Sequence, residues 1–75
     1  MVASSNIVEV FKTSVTDVSQ ANQLVALLSQ CFPGNRINFD LHDCDNILRV
    51  EGRKFDVAEI MTIVRENGFV CTILE

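Results

Sequence analysis

The sequence predicts an α+β fold with the element order βαββαβ. Two stretches carry apolar residues at helical spacing, and four others show the β-branched content or the alternation that is typical of strands. Polar turns separate these stretches. A chain of 75 residues with 48% hydrophobic content has room for one small core, so we expect residues 1–75 to form a single domain.

The first two elements are a strand and a helix. Residues 7–12 (IVEVFK) predict strand 1, and residues 13–16 predict a polar connection. Asp17, with Gln20 three residues later, resembles a helix-capping box, and helix 1 should run from there to about Cys31, before the Pro33-Gly34 stop. The buried stripe of this helix is expected to consist of Val18, Ala21, Leu24, Val25 and Leu28.

A β-hairpin is expected next. Apolar and polar residues alternate over residues 36–42, which predicts strand 2 with one buried face. The acidic turn at residues 43–46 leads into strand 3, whose inward residues should be Leu48 and Val50. With Cys44 and Asp45 at the tip, the expected cross-strand pairs are Leu41 with Leu48, Phe39 with Val50, and Asp40 with Arg49.

The second helix has the best start signal in the chain. Asp56 is the expected N-cap, with Glu59 three residues later and with Phe55 and Ile60 at the two hydrophobic-staple positions. Its apolar face should comprise Val57, Ile60, Met61 and Val64, with Ile63 beside it. Gly68 is expected in the left-handed position after the helix, and residues 69–74 should form strand 4, of which either face could point inward.

One arrangement buries all these apolar faces together. A single antiparallel sheet with both helices on one side and right-handed crossovers gives the split βαβ, or ferredoxin-like, topology with strand order 4-1-3-2. In this topology the loop after strand 1, the hairpin tip and the turn after helix 2 meet at one end. Cys44 should lie at that end, Cys71 a short way along strand 4, and a semi-buried Cys31 at the opposite end.

Charge and composition exclude several classes of partner. The net charge is −4 and the pI is near 4.7, whereas nucleic acid is bound mainly by clustered Lys and Arg, so we expect no nucleic-acid partner. Residues 1–6 lack the features of a signal peptide, and the longest apolar run, residues 24–28, is too short to cross a bilayer. Three cysteines that match no disulfide framework suit a reducing compartment, so a soluble, cytoplasmic protein is expected.

The second half of the chain resembles a heavy-metal-associated (HMA-like) domain, the module of copper chaperones and metal-transporting ATPases. The matching residues, which cover about half the chain, are Pro33-Gly34, Ile37, Phe39, Asp40-Leu41, Leu48, Val50, Glu59-Ile60, Ile63 and Gly68-Phe69. The resemblance implies the ferredoxin-like fold. It also implies metal transfer through a Met-x-Cys-x-x-Cys segment after strand 1, where two thiolates bind Cu(I).

The loop after strand 1 has no cysteine in this chain. Val15 and Val18, or Val18 and Ala21, occupy the spacing of the cysteine pair, and their side chains cannot ligate metal. We therefore expect no metal and no cofactor at this place. The alternative is a copper or zinc site formed by Cys44 with His42 or Cys71, although two ligands fall short of a closed zinc site.

No cluster of residues specifies a reaction, because no nucleophile is accompanied by a base and an orienting group, so we predict that the chain is not an enzyme. The leading hypothesis is a non-enzymatic module, a monomer or weak homodimer, that binds a protein or small ligand. A metal carrier and a small-molecule regulatory module are the alternatives. The open sheet face, which mixes polar residues with Ile47, is either solvated or used for docking. The candidate interaction end comprises Ser14, Thr16, Asp17, His42, Asp43, Asp45 and Phe69.

Overall fold

The structure is a computed structural model that describes residues 6–42 and 44–74. It confirms the predicted order of elements. In chain order these are β1 Ile7–Thr13, α1 Val18–Cys31, β2 Arg36–Asp40, β3 Ile47–Gly52, α2 Val57–Glu66 and β4 Cys71–Ile73.

The four strands form one open antiparallel sheet in the order β2-β3-β1-β4. Counted from the β4 edge this order reads 4-1-3-2, so each strand has the neighbours expected from the sequence. The hairpin strand β2 forms one edge, and the three-residue strand β4 forms the other.

The core lies between one face of the sheet and both helices. Fully buried residues of the sheet pack with fully buried residues of α1 and α2 in one cluster, which places the two helices on the same side. The cluster comprises Phe11, Leu28, Ile37, Leu48, Val50, Ile60, Val64 and Cys71. A second, smaller cluster of Val15, Ala21 and Leu24 lies next to it.

The hairpin register differs from the prediction by two residues. Phe39 lies opposite Leu48 and Ile37 opposite Val50, while Arg49 faces Asn38 rather than Asp40. The loop is longer than expected, because the Thr13 N–H donates to the Asp45 carbonyl and the Thr13 hydroxyl donates to the Asn46 carbonyl. These groups are bonded to β1 and so are unavailable for the hairpin ladder. Since side chains alternate with period two, Leu48 and Val50 still point inward.

The helix ends agree with the capping signals. The Asp17 Oδ1 accepts from the Ser19 N–H at 2.8 Å, the Asp56 Oδ1 accepts from the Glu59 N–H at 3.1 Å, and Gly68 has φ 93°. The stripe of α1 is confirmed at Ala21, Leu24 and Leu28, with Val25 partly buried. Val18 was wrongly predicted to be buried, since it is 65% exposed.

Strands β2 and β4 are shorter than the sequence indicated. β2 ends at Asp40, so that Leu41 and His42 belong to the loop, and β4 covers only residues 71–73. The inward face of β4 carries Cys71, which lies opposite Thr13 and is fully buried.

Candidate functional site

Three loops meet at one end of the sheet, as the sequence predicts. The Ser14 N–H donates to the Val70 carbonyl at 3.2 Å, and the Val70 N–H donates to the Ser14 hydroxyl at 2.8 Å. The Thr13 N–H reaches the hairpin loop at the Asp45 carbonyl, also at 3.2 Å. We call this end the apex: residues 13–17, the described residues of 41–46, and residues 67–70.

Val15 fills the interior of the apex. Its side chain is fully buried and packs in a cluster with Ala21 and Leu24, against which Phe39, Leu41 and Phe69 lie. The sequence suggested a polar connection here, and this was wrong because Thr13 and Val15 both point inward. Thr13 remains hydrogen-bonded, since its hydroxyl donates to the Asn46 carbonyl and accepts from the Val15 N–H. The loop after β1 is therefore held in place by the buried Val15 side chain, which we call the apolar anchor.

The predicted interaction residues surround this anchor. Ser14, Thr16, Asp17 and His42 are exposed, with Asp17 engaged as the N-cap of α1. Asp45 and Phe69 are partly buried, and the Lys12 Nζ lies 3.6 Å from the Asp45 Oδ1. Asp43 lies outside the described residues. The apex thus presents acidic and hydroxyl groups around a closed apolar interior.

The three cysteines are free and lie in different environments. Cys31 at the end of α1 is exposed, where the sequence suggested partial burial, and Cys44 in the hairpin loop is also exposed. Cys71 is buried in β4, and this burial raises the pKa of its thiol from 9.0 to about 11, against the opposing effect of Arg65. Burial thus disfavours the thiolate, which is the form that binds metal, and leaves no part of Cys71 exposed.

Metal-ligating residues are not gathered at the apex. Within residues 6–42 and 44–74, no group of three or more His, Cys, Asp or Glu side chains is placed so that it could hold a metal ion. The Asp40 Oδ1 is already engaged, because it accepts from the His42 N–H at 3.1 Å.

A groove next to the apex was missed by the sequence reasoning. It has a volume of about 390 Å³ and lies between α1 and the edge strand β2. Val18, Asn22 and Val25 line its helix side, while Phe39 and Leu41 line its strand side. This volume lies in the range of small-ligand pockets. The sequence signal that could have revealed the groove was Val18. This apolar residue is the first of α1, directly after the N-cap, and so lies at the end of the apolar stripe.

The chemistry of the groove is uneven along its length. Its apex end is lined by Asp40 and His42, whereas the helix side is uncharged, since α1 has no acidic or basic residue in its 14 positions. The groove could therefore hold an apolar group and place a positive or hydrogen-bond-donating group at the apex end.

The outer sheet face is partly apolar. Val8 is 44% exposed in β1, and Leu74, just after β4, is 39% exposed. Arg49 and Lys12 lie on the same face and are exposed.

None of the helices in the described part of the chain combines the length and the apolar content needed to cross a membrane. Comparison of the chain with protein-family models, with curated proteins and with solved structures found no match.

Proposed function

We propose that this chain is a non-enzymatic binding module: a ferredoxin-like domain similar to heavy-metal-associated domains, without their metal site. It would hold an apolar group of a protein partner or a small ligand in the groove between α1 and β2. The ferredoxin-like assignment is supported by the βαββαβ order, the antiparallel sheet and the position of both helices on one face.

The observation that carries the proposal is the burial of Val15. In the family that the chain resembles, the loop after strand 1 presents thiolates to solvent. Here the same loop buries the Val15 side chain, so that methyl groups occupy the interior of the apex. Because this loop carries no thiolate and its Val15 side chain is buried, we infer that binding uses a different surface.

The groove offers that surface. Its walls leave Val18 exposed and Phe39 and Leu41 only partly buried, so a bound apolar group would remove this area from water. Asp40 lines the apex end. Its carboxylate belongs to the outer face of β2, but this negative charge lies next to the groove and would favour a ligand that carries a positive charge beside its apolar part. An apolar amine, or a peptide with a basic residue beside an apolar one, has this chemistry.

The proposal is tested by amide chemical shifts of the reduced protein. We expect short peptides with one apolar and one adjacent Lys residue, and small aromatic amines, to shift Val18, Asn22, Val25 and Leu41. The Val18→Lys variant should lose this binding, because a charged side chain would enter the groove. Leu27→Lys is the matched control, since Leu27 lies on α1 but does not line the groove.

Titration with Cu(I), Zn(II) and Ni(II) provides the opposing test. We expect no stoichiometric binding. Tight binding of any of these ions that shifts the hairpin loop and is abolished by Cys44→Ser would contradict the proposal and favour a metal carrier using Cys44 with His42 or Cys71. Ligand shifts that are scattered over the surface would contradict the groove as the binding place.

A further inference from the structure

The two edge strands of the sheet differ in whether their outward backbone groups have hydrogen-bond partners. An edge strand exposes backbone N–H and C=O groups, and proteins usually protect such edges. At the β4 edge the Val70 carbonyl and the Leu74 N–H both point to β1, so the Cys71 carbonyl points outward. That carbonyl accepts from Arg65 at 3.2 Å from Nε and at 2.9 Å from Nη2. The β4 edge is therefore short, and Arg65 covers one of its outward carbonyls.

The β2 edge has no such cover among the described residues. β2 runs from Arg36 to Asp40 and pairs only through its other side, with β3. Neither proline nor a bulge interrupts its five residues. The longer of the two edges is thus the one whose outward backbone groups have no partner among the described residues.

The sequence of β2 is complementary to itself. Its outward side chains are Arg36, Asn38 and Asp40, and its inward ones are Ile37 and Phe39. If a second β2 pairs antiparallel about a two-fold axis at Asn38, Arg36 lies opposite Asp40 of the second copy at both ends. Ile37 lies opposite Phe39 on the inner face, and Asn38 meets its own copy. Opposite charges and apolar pairs directly across two strands stabilise an antiparallel pairing.

Helix α1 fits the same arrangement. The two-fold axis is perpendicular to the sheet, and both helices pack on one face, so the two copies of α1 would lie side by side above the joined strands. α1 has no charged residue in its 14 positions, and its groove side presents Val18, Asn22 and Val25. Pairing would therefore place the groove at the interface, so a second copy and a groove ligand would compete for it. Depletion of charge is the compositional mark of an interface core.

From the open β2 edge, its self-complementary charges and the uncharged helix above it, we propose that two copies of this chain pair through β2 into a continuous eight-stranded sheet. The contact is isologous, so the same surface is used by both copies and the pairing closes at two. It is a weak dimer, because a five-residue edge and one helix face make a small interface.

Charge reversal tests the pairing directly. Arg36→Asp places only acidic side chains opposite one another in a homodimer, and Asp40→Arg places only basic ones. We expect each single variant to weaken self-association by about tenfold or more, and the double variant Arg36→Asp/Asp40→Arg to restore it. The measurement is sedimentation velocity at low salt over a concentration series, and Arg49→Asp, one strand inward, is the control.

Mixing the two single variants gives a sharper result. In a mixed pair the acidic β2 of one variant meets the basic β2 of the other, so the mixture should dimerise although neither variant does so alone. Both variants must first show cooperative thermal unfolding, which confirms that they are folded. A mixture that stays monomeric alongside a monomeric wild type would overturn the proposal.

A disulfide trap does not depend on the charge variants. Residue 38 meets its own copy on the axis, so Asn38→Cys in a Cys31→Ser/Cys44→Ser background should form an intermolecular disulfide on mild oxidation. Arg49→Cys in the same background is the matched control, because Arg49 lies directly opposite Asn38 within the sheet but off the axis. Cross-linking of the two variants to the same extent would contradict the pairing. Monomeric wild-type protein whose β2 shifts with an added peptide would instead identify a foreign strand as the occupant.

Discussion

Val15 and Val18 are the same residue type three positions apart, and their environments are opposite. Val15 is fully buried in the apex, whereas Val18 is 65% exposed at the start of α1. The backbone explains the difference, since the Val15 N–H is held by the Thr13 hydroxyl while Val18 follows the Asp17 cap. Spacing along the chain could not show this, because the turn between β1 and α1 breaks both the strand and the helix period.

Replacing these two valines by alanine should therefore have different effects on stability. We expect Val15→Ala to lower the free energy of unfolding by about 2 kcal/mol, from lost burial and the cavity left behind. Val18→Ala should change it by no more than about 0.5 kcal/mol. Urea denaturation followed by circular dichroism measures both changes. Equal losses in the free energy of unfolding would contradict the role of Val15 as the apolar anchor of the loop.

The buried Cys71 thiol should make stability depend on pH in the alkaline range. Burial raises its folded-state pKa from 9.0 to about 11, so above pH 9.0 the unfolded chain releases a proton that the folded chain keeps. This contribution is fully present below pH 9.0 and is lost as the pH rises through about 11. The free energy of unfolding should fall over this window in the wild type and fall less steeply in Cys71→Ala. Parallel pH profiles for the two proteins would exclude the thiol as the cause.

At the level of elements, the sequence predicts correctly the helix ends, which depend only on neighbouring residues. The caps at Asp17 and Asp56 and the turn at Gly68 lie where the sequence indicates, because each depends on residues within four positions. The hairpin register was not predictable in this way. It depends on hydrogen bonds from Thr13 to Asp45 and Asn46, which are more than 30 residues away in the chain.

The observed register can be checked with a double-mutant cycle. Arg49 lies opposite Asn38, so Asn38→Asp should create a cross-strand ion pair and stabilise the protein by roughly 0.2–1 kcal/mol. The gain should vanish in an Arg49→Ala background. Asp40 lies opposite Ile47, so Asp40→Asn should show no comparable coupling with Arg49. The measurement uses dilute protein, so that self-association does not contribute. Coupling of Arg49 to Asp40 in place of Asn38 would favour the shorter hairpin loop that the sequence predicts.

For the whole molecule, the layers and the meeting of three loops at the apex followed from the sequence, whereas the groove and the open edge did not. The apolar stripes of both helices and the alternation in β2 suffice to place both helices on one side of the sheet. The groove depends on how α1 packs beside β2, and one of its lining residues, Ala21, packs with Val15 and Leu24. No single element carries that information.

Arg65 should limit association of the whole molecule, because it covers the outward carbonyl of Cys71. We expect Arg65→Ala to expose the β4 edge and to promote species larger than a dimer on prolonged agitation. Light scattering and thioflavin fluorescence would follow this, with Arg49→Ala as a control that removes a charge from the middle of the sheet. Unchanged solution behaviour of Arg65→Ala would show that the shortness of β4 is protection enough.

If two copies pair through β2 as proposed, the guanidinium of Arg65 should also limit the size of the assembly. A sheet with two unprotected edges can add further copies at both and form a filament. A sheet with one unprotected edge has no free edge left after it has paired with a second copy. By binding the Cys71 carbonyl, Arg65 should keep the proposed pairing from extending into a polymer.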